Sequence, residues 1–219
     1  MKTIARPDPT RRGAFLGLGV SALITGVAAP NVWAADRQPI VTVLGDSITA
    51  GLGLPARDAL PAQLQAALER RGVRALVRGS GVSGDTSGGA LARVDFSVSA
   101  DTALCVVALG GNDLLQGADP KATKANLRRI IDKLKARRIK VVLAGLRAPP
   151  LIGASYARDF TGLFPALARE TGAVFHPDFV TGVVGVQRLM QRDGIHPNAA
   201  GARMIAERMA PTIAAALRA

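Results

Sequence analysis

Five short apolar runs, at residues 39–44, 74–78, 103–109, 139–145 and 173–175, lack the strict polar alternation of a strand with one wet face. Runs of that kind are strands covered on both sides. Between them lie helical patterns over roughly 59–71, 87–94, 120–138 and 155–171, and a last one at about 198–217. The helical spacing is clearest at Leu127, Ile130, Ile131 and Leu134, and at Leu163 and Leu167 with Phe164 beside them. Gly72 and Gly172 stand where two of these helices stop. Strand alternating with helix requires right-handed crossovers, so the chain is predicted to be an α/β protein with a mostly parallel five-stranded sheet between helices. Ligands bind such sheets outside the carboxyl ends of the strands. Loops beginning at Gly45, Gly79, Gly110 and Leu146 all leave from that edge.

A chain of 219 residues, 48% hydrophobic and 20% charged, has enough apolar material for one domain with a real core. Its first part is read separately. Lys2, Arg6, Arg11 and Arg12 precede an uncharged stretch from Gly13 to Pro30, and Val32-Trp33-Ala34 resembles a small-x-small cleavage site. Residues 1–34 are therefore expected to be an export signal and residues 35–219 the working domain, periplasmic or secreted. Arg11-Arg12 followed by Phe15-Leu16 points to a twin-arginine signal, but Phe15 lies one place late, so the twin-arginine and general secretory routes both stay open. An uncleaved anchor is the competing reading, because about 17 apolar residues nearly span a bilayer.

Removing residues 1–34 takes away four basic residues and Asp8, which lowers the formal charge from +12 to +9. Much of what remains lies in Lys121, Lys124, Arg128, Arg129, Lys133, Lys135, Arg137, Arg138 and Lys140, on one predicted helix and its exit. A run like that can bind nucleic acid or an anionic membrane. No aromatic residues interleave to stack bases, so a solvated helix face is the expected role and no nucleic-acid partner is predicted. Cys105 lies inside an apolar run and reads as a buried, inert thiol. With His176 and His196 the only histidines, and no His-x-x-x-His or Cys-x-x-Cys spacing, neither a metal site nor a cofactor is predicted.

The loops carry the chemistry. Gly45-Asp46-Ser47-Ile48 ends the first apolar run, and Asp193-Gly194-Ile195-His196-Pro197 comes near the end of the chain. A serine hydroxyl needs a base within hydrogen-bond reach to become a nucleophile. His196 is the better base, since Pro197 holds it extended and Asp193 stands three residues before it, close enough to orient the ring. His176, at a strand end before Pro177, reads as structural. Each fragment alone also fits a turn or a cap: Ser47 as a helix-start residue, Asp193 as an acceptor for backbone amides, Asn112 as a turn residue. An oxyanion would need donors, and the amides of Ser47 and Gly84 and the carboxamide of Asn112 are available. Asp46, Asp85 and Asp113 read as loop-organising acceptors.

Taken in order, Gly45-Asp46-Ser47-Ile48, Gly84 within Val82-Ser83-Gly84-Asp85-Thr86, Gly110-Gly111-Asn112-Asp113 and Asp193-Gly194-Ile195-His196 resemble the four blocks of the GDSL or SGNH hydrolase family. The surrounding sequences look most like bacterial arylesterases and acyl-CoA thioesterase I, also called lysophospholipase. The resemblance implies a three-layer α/β/α, flavodoxin-like fold, with Ser47, Asp193 and His196 as triad and Ser47, Gly84 and Asn112 as oxyanion hole. One departure is Gly79, where the family commonly has an asparagine; a loop-bracing hydrogen bond is the expected loss. The absence of Gly-x-Ser-x-Gly argues against an ordinary α/β-hydrolase.

The expected activity is hydrolysis of a small carboxylic ester or thioester through a Ser47 acyl-enzyme, by a monomer that touches membrane lipid only transiently. Leu146, Leu151 and Ile152, in an apolar loop leaving the active edge, are expected to line the acyl pocket. Two rivals are deacetylation of a polysaccharide and a flavodoxin-like binding module without catalysis. Trp33 is the only tryptophan. Exported, cleaved protein should show no tryptophan emission on excitation at the indole band, and retained emission would mean that the leader stays attached.

Overall fold

Val41, Val43, Leu104, Val106 and Val142 turn to one side of a sheet, and Leu44, Cys105, Val107, Val141 and Leu143 to the other, and all are buried. That two-sided burial is why the strands read as continuous apolar runs. The computed structural model describes residues 38–219, so the expected export signal at residues 1–34 lies outside the described residues. Strands β1 (Ile40–Gly45), β2 (Leu76–Gly81), β3 (Thr102–Ala108), β4 (Lys140–Ala144) and β5 (Val174–His176) form one sheet in the order β2-β1-β3-β4-β5. Every neighbouring pair is parallel.

Helices α2 (Leu60–Glu69) and α7 (Ala199–Arg218) cover the first face through Leu60, Leu64, Leu68, Ile205, Met209 and Ile213. Helices α3 (Ser87–Ser97), α5 (Pro120–Ala136) and α6 (Ala154–Thr171) cover the second through Val94, Leu127, Ile130, Leu134, Phe160 and Phe164. The result is the expected α/β/α sandwich. Each fully buried aliphatic or aromatic side chain contributes about 1.5–3 kcal/mol relative to exposure, so the two layers dominate stability. Two short helices inside the motif loops, α1 (Ser47–Ala50) and α4 (Gly111–Leu115), are too brief to show a hydrophobic period.

The second strand differs from expectation. It runs to Gly81 rather than ending near residue 78, carrying the polar stretch Arg78-Gly79-Ser80-Gly81 in register with Thr42–Gly45. The loop therefore begins at Val82, not at Gly79. Close packing explains the composition: a Cβ on Gly79 would stand 2.7 Å from Pro61 Cγ, and one on Gly81 only 2.2 Å from Ala50 N. An asparagine at position 79 would require Pro61 to shift. Helix α1 rests directly on the backbone of β2.

Six of the nine cations of the basic run on α5 and its exit are tied down within the fold. Lys124 and Arg128 pair with Glu170, Lys133 with Asp95, while Lys135 and Arg137 donate to Thr171 O and Val98 O. Lys140 Nζ donates to Ala216 O at 3.3 Å. Glu170 is held below the usual carboxylate range by its hydrogen bond from Lys124. These cations serve the seams between helices.

Gly81→Ala should push α1 off the sheet, because the obstructing atom is a backbone nitrogen that no rotamer change removes. We expect a loss of about 1–3 kcal/mol in urea unfolding, together with a lower kcat. Unchanged stability and turnover would contradict this packing.

Candidate active site

Strand β1 lies between β2 and β3, and the chain leaves β1 toward the α2/α7 face but leaves β3 toward the α5 face. That reversal opens a crevice at the carboxyl ends of β1 and β3. Ser47 emerges from the first strand and Asn112 from the second. Asp46 caps α1, its Oδ1 accepting from Ile48 N at 3.0 Å, and Gly51, at φ 72°, ends the helix after one turn. Ser47 is thereby presented at the first helical position, with its hydroxyl at the crevice. Burial pushes the Asp46 carboxyl above its ordinary value, opposed by the Ile48 amide.

His196 reaches Ser47 across 149 positions: its Nε2 lies 2.9 Å from Ser47 Oγ. Its Nδ1 lies 2.6 Å from Asp193 Oδ2. Asp193 Oδ1 also accepts from Ile195 N at 2.9 Å and His196 N at 3.0 Å, so one carboxylate shapes the turn and holds the ring. The His196 amide, the His196 side chain and the Ile195 amide together hold the Asp193 carboxyl down to about 2. The turn sits on a short antiparallel bridge between Met190 and Pro197. Gln191 fastens it to the nucleophile's side of the crevice, donating to Leu52 O at 2.7 Å and Pro197 O at 3.0 Å.

Beside the end of β1 lies the turn Val82–Asp85, closed by Asp85 N donating to Val82 O at 3.1 Å, with Gly84 at φ 81°. Only the third residue of a type II turn needs that backbone, which suits glycine. Asn112 Nδ2 donates to Asp85 O at 2.8 Å and keeps a second hydrogen for another acceptor. Asp113, buried, accepts from Ser87 N at 2.8 Å and from the hydroxyls of Ser87 and Thr123. Asp85 Oδ2 accepts from Arg93 Nε, so Asp46, Asp85 and Asp113 are all hydrogen-bond acceptors that organise loops, as the sequence indicates.

Ser47, Asp193 and His196 come together, with Gly84 and Asn112 in bonded loops at the same edge. Leu146, Leu151 and Ile152 are placed differently. The depression at Ser47 is lined by Ile48, Leu52, Leu54, His196, Pro197 and Ala202 and by none of the three. Leu146 turns inward, packing against both apolar layers. Leu151 is 97% exposed on a 3₁₀ turn, Pro150–Ile152, and Ile152 is also exposed. A cleft of about 570 Å³ runs along β2 beside α2, lined by Ala62, Gln65, Ala66, Val77 and Gly79, and includes neither Ser47 nor His196.

His176 is buried at the end of β5, with Nδ1 3.0 Å from Thr212 Oγ1, and burial lowers its pKa. It is structural. Cys105 is buried and its thiol is pushed up to about 12 by desolvation, consistent with an inert side chain. Among the described residues no group of three His, Cys, Asp or Glu side chains is arranged to hold a metal ion. Two residues that order the site gave no signal in the sequence: Arg93 and Gln191, whose partners are distant in the chain.

Residues 43–204 match the model of the GDSL-like lipase/acylhydrolase family. The chain is 40% identical over 172 residues to esterase TesA of Pseudomonas aeruginosa, covering 78% of this chain and 86% of that one. It is 36% identical over 177 residues to thioesterase 1/protease 1/lysophospholipase L1 of Escherichia coli, covering 80% and 84%. The crystal structure of the psychrotrophic esterase EstA from Pseudoalteromonas, inhibited by monoethylphosphonate, superimposes with a TM-score of 0.77 at 28% identity, covering 83% of this chain and all of that one. The chain belongs to the GDSL-like lipase/acylhydrolase family and is a serine ester hydrolase.

Proposed function

We propose that Ser47 attacks the carbonyl of a small carboxylic ester or thioester, with His196 as general base and Asp193 as the carboxylate that orients it. The observation that carries the reading is the continuous line from Asp193 Oδ2 through the imidazole to Ser47 Oγ, at 2.6 and 2.9 Å. Asp193, held down to about 2, stays anionic across the neutral range and favours the tautomer with the proton on Nδ1. Nε2 is then free to take the Ser47 proton. As the tetrahedral intermediate forms, its oxyanion accepts from the amides of Ser47 and Gly84 and from Asn112 Nδ2. The imidazolium returns the proton to the leaving oxygen or sulfur, and an acyl-enzyme remains. Water, deprotonated by His196, releases the acid.

We further propose that Leu151 and Ile152 form an outer wall for the acyl chain, since they are the exposed apolar side chains on the loop after β4. Deacetylation of polysaccharide is the weaker reading. The single tyrosine, Tyr156, stacks on Phe160 and donates to Ala118 O at 2.9 Å, which occupies it. We also propose export to the periplasm or beyond, which rests on the sequence of residues 1–34, and a monomer with only passing lipid contact. Among the described residues no helix is long and apolar enough to cross a membrane.

A fluorophosphonate probe, whose phosphorus bonds to Ser47 Oγ as fluoride leaves to solvent, should label the protein and fail to label Ser47→Ala, while p-nitrophenyl ester hydrolysis by that variant falls to background. Labelling that persists in Ser47→Ala would remove the proposed nucleophile. In the same ester panel, alanine at Leu151 and Ile152 should change the preferred acyl length, and an unchanged preference discards that wall.

Activity should decline as pH falls, because only the neutral imidazole accepts a proton. Asp193 is not the source of the decline, since its lowered pKa keeps it charged until far more acid conditions. Asp193→Asn should lower kcat on the order of a hundredfold or more, with KM little altered. A flat pH profile, or an Asp193→Asn enzyme of normal kcat, would contradict these roles.

A further inference from the structure

We propose that Arg93 is a positioning residue for hydrolysis: it fixes the Val82–Asp85 turn, and with it the Gly84 amide, relative to Ser47. This rests on the assignment of Ser47 and Gly84 made above. Arg93 projects from α3, and its side chain and that of Asp85 are 12% and 8% exposed. All five of its N–H groups are used. Nε donates to Asp85 Oδ2 at 2.8 Å; Nη1 donates to Ser80 Oγ at 3.0 Å and Ser97 Oγ at 3.2 Å. Nη2 donates to Gly45 O at 2.9 Å and Ser80 O at 3.1 Å. A guanidinium is planar and rigid, so these acceptors are held in one fixed pattern.

The pattern joins the parts that must be in register. Gly45 O, two residues before Ser47, accepts both from Arg93 and from Val82 N, the latter at 3.1 Å. The turn is thus pinned at its first residue to the end of β1 and at its last to Arg93. Asp85 O in turn accepts from Asn112, so the same clamp bears on the carboxamide donor. Oxyanion donors act only when aimed where charge develops, and misplacement by about 1 Å costs on the order of a hundredfold. A buried ion pair is by itself a weak source of stability. Alignment is the role that requires all five bonds at once.

Arg93→Lys retains the charge but cannot reproduce the five-bond fork. With p-nitrophenyl butyrate, kcat should fall at least about tenfold while KM stays within about twofold. Butylboronic acid, which forms a tetrahedral adduct with a serine hydroxyl, should lose affinity by a factor similar to that in kcat. Because a buried lysine can unfold the protein, Arg93→Met combined with Asp85→Leu, which strands no charge, is measured beside it, and a cooperative far-UV CD melt establishes folding in both. Normal kcat in a folded variant overturns the proposal, as does a lowered kcat with unchanged boronate affinity. If neither variant folds, Arg93 serves stability alone and the proposal is likewise overturned. Failure of the underlying site assignment shows separately, as hydrolysis that survives in Ser47→Ala.

Discussion

The closeness of α1 to the end of the sheet is the constraint on which the site depends. Gly45 and Gly81 permit it: a Cβ on Gly45 would stand 2.1 Å from Thr49 Oγ1, and one on Gly81 would strike the backbone of Ala50. With those positions bare, a single helical turn capped by Asp46 lies across β1 and β2 and holds Ser47 at the crevice. His196 then meets the hydroxyl from the far end of the chain.

Around that contact the charged groups divide by depth. Asp46, Asp85 and Asp113 are drawn into the loops as acceptors, each satisfied by amides, hydroxyls or a guanidinium, so their burial is compensated. Asp193 remains exposed and keeps its charge through the bonds that it accepts. Basic side chains of α5 join it to α6 and α3, and Lys140 ties β4 to α7. Net charge therefore says little about substrate.

Most of the architecture was legible because buried parallel strands and amphipathic helices leave strong periods, as at Leu104–Leu109 and Leu127–Leu134. The period failed where packing demanded small residues instead of apolar ones. Arg78-Gly79-Ser80-Gly81 continues β2 without a hydrophobic signal, since Pro61 and α1 occupy the space that side chains would fill. Helices α1 and α4 left no hydrophobic period for another reason, their length. In the site, Asp193 and His196 could be paired from local spacing, whereas Leu146 could not be known to turn inward, because an apolar loop residue packs or faces solvent according to what lies beneath it.

Residue types and their order determined the class of fold, the identity of the candidate nucleophile, base and orienting acid, and the burial of Cys105, since these follow from local pattern and side-chain chemistry. Three-dimensional packing decided the rest: the 2.9 Å approach of residues 47 and 196, the clamp of Arg93 on three separate segments, the brace supplied by Gln191, and the outward placement of Leu151. The physical reason is range. Propensity and periodicity act over a few residues, but a hydrogen bond between groups more than a hundred positions apart exists only once the sheet has brought its loops to one edge.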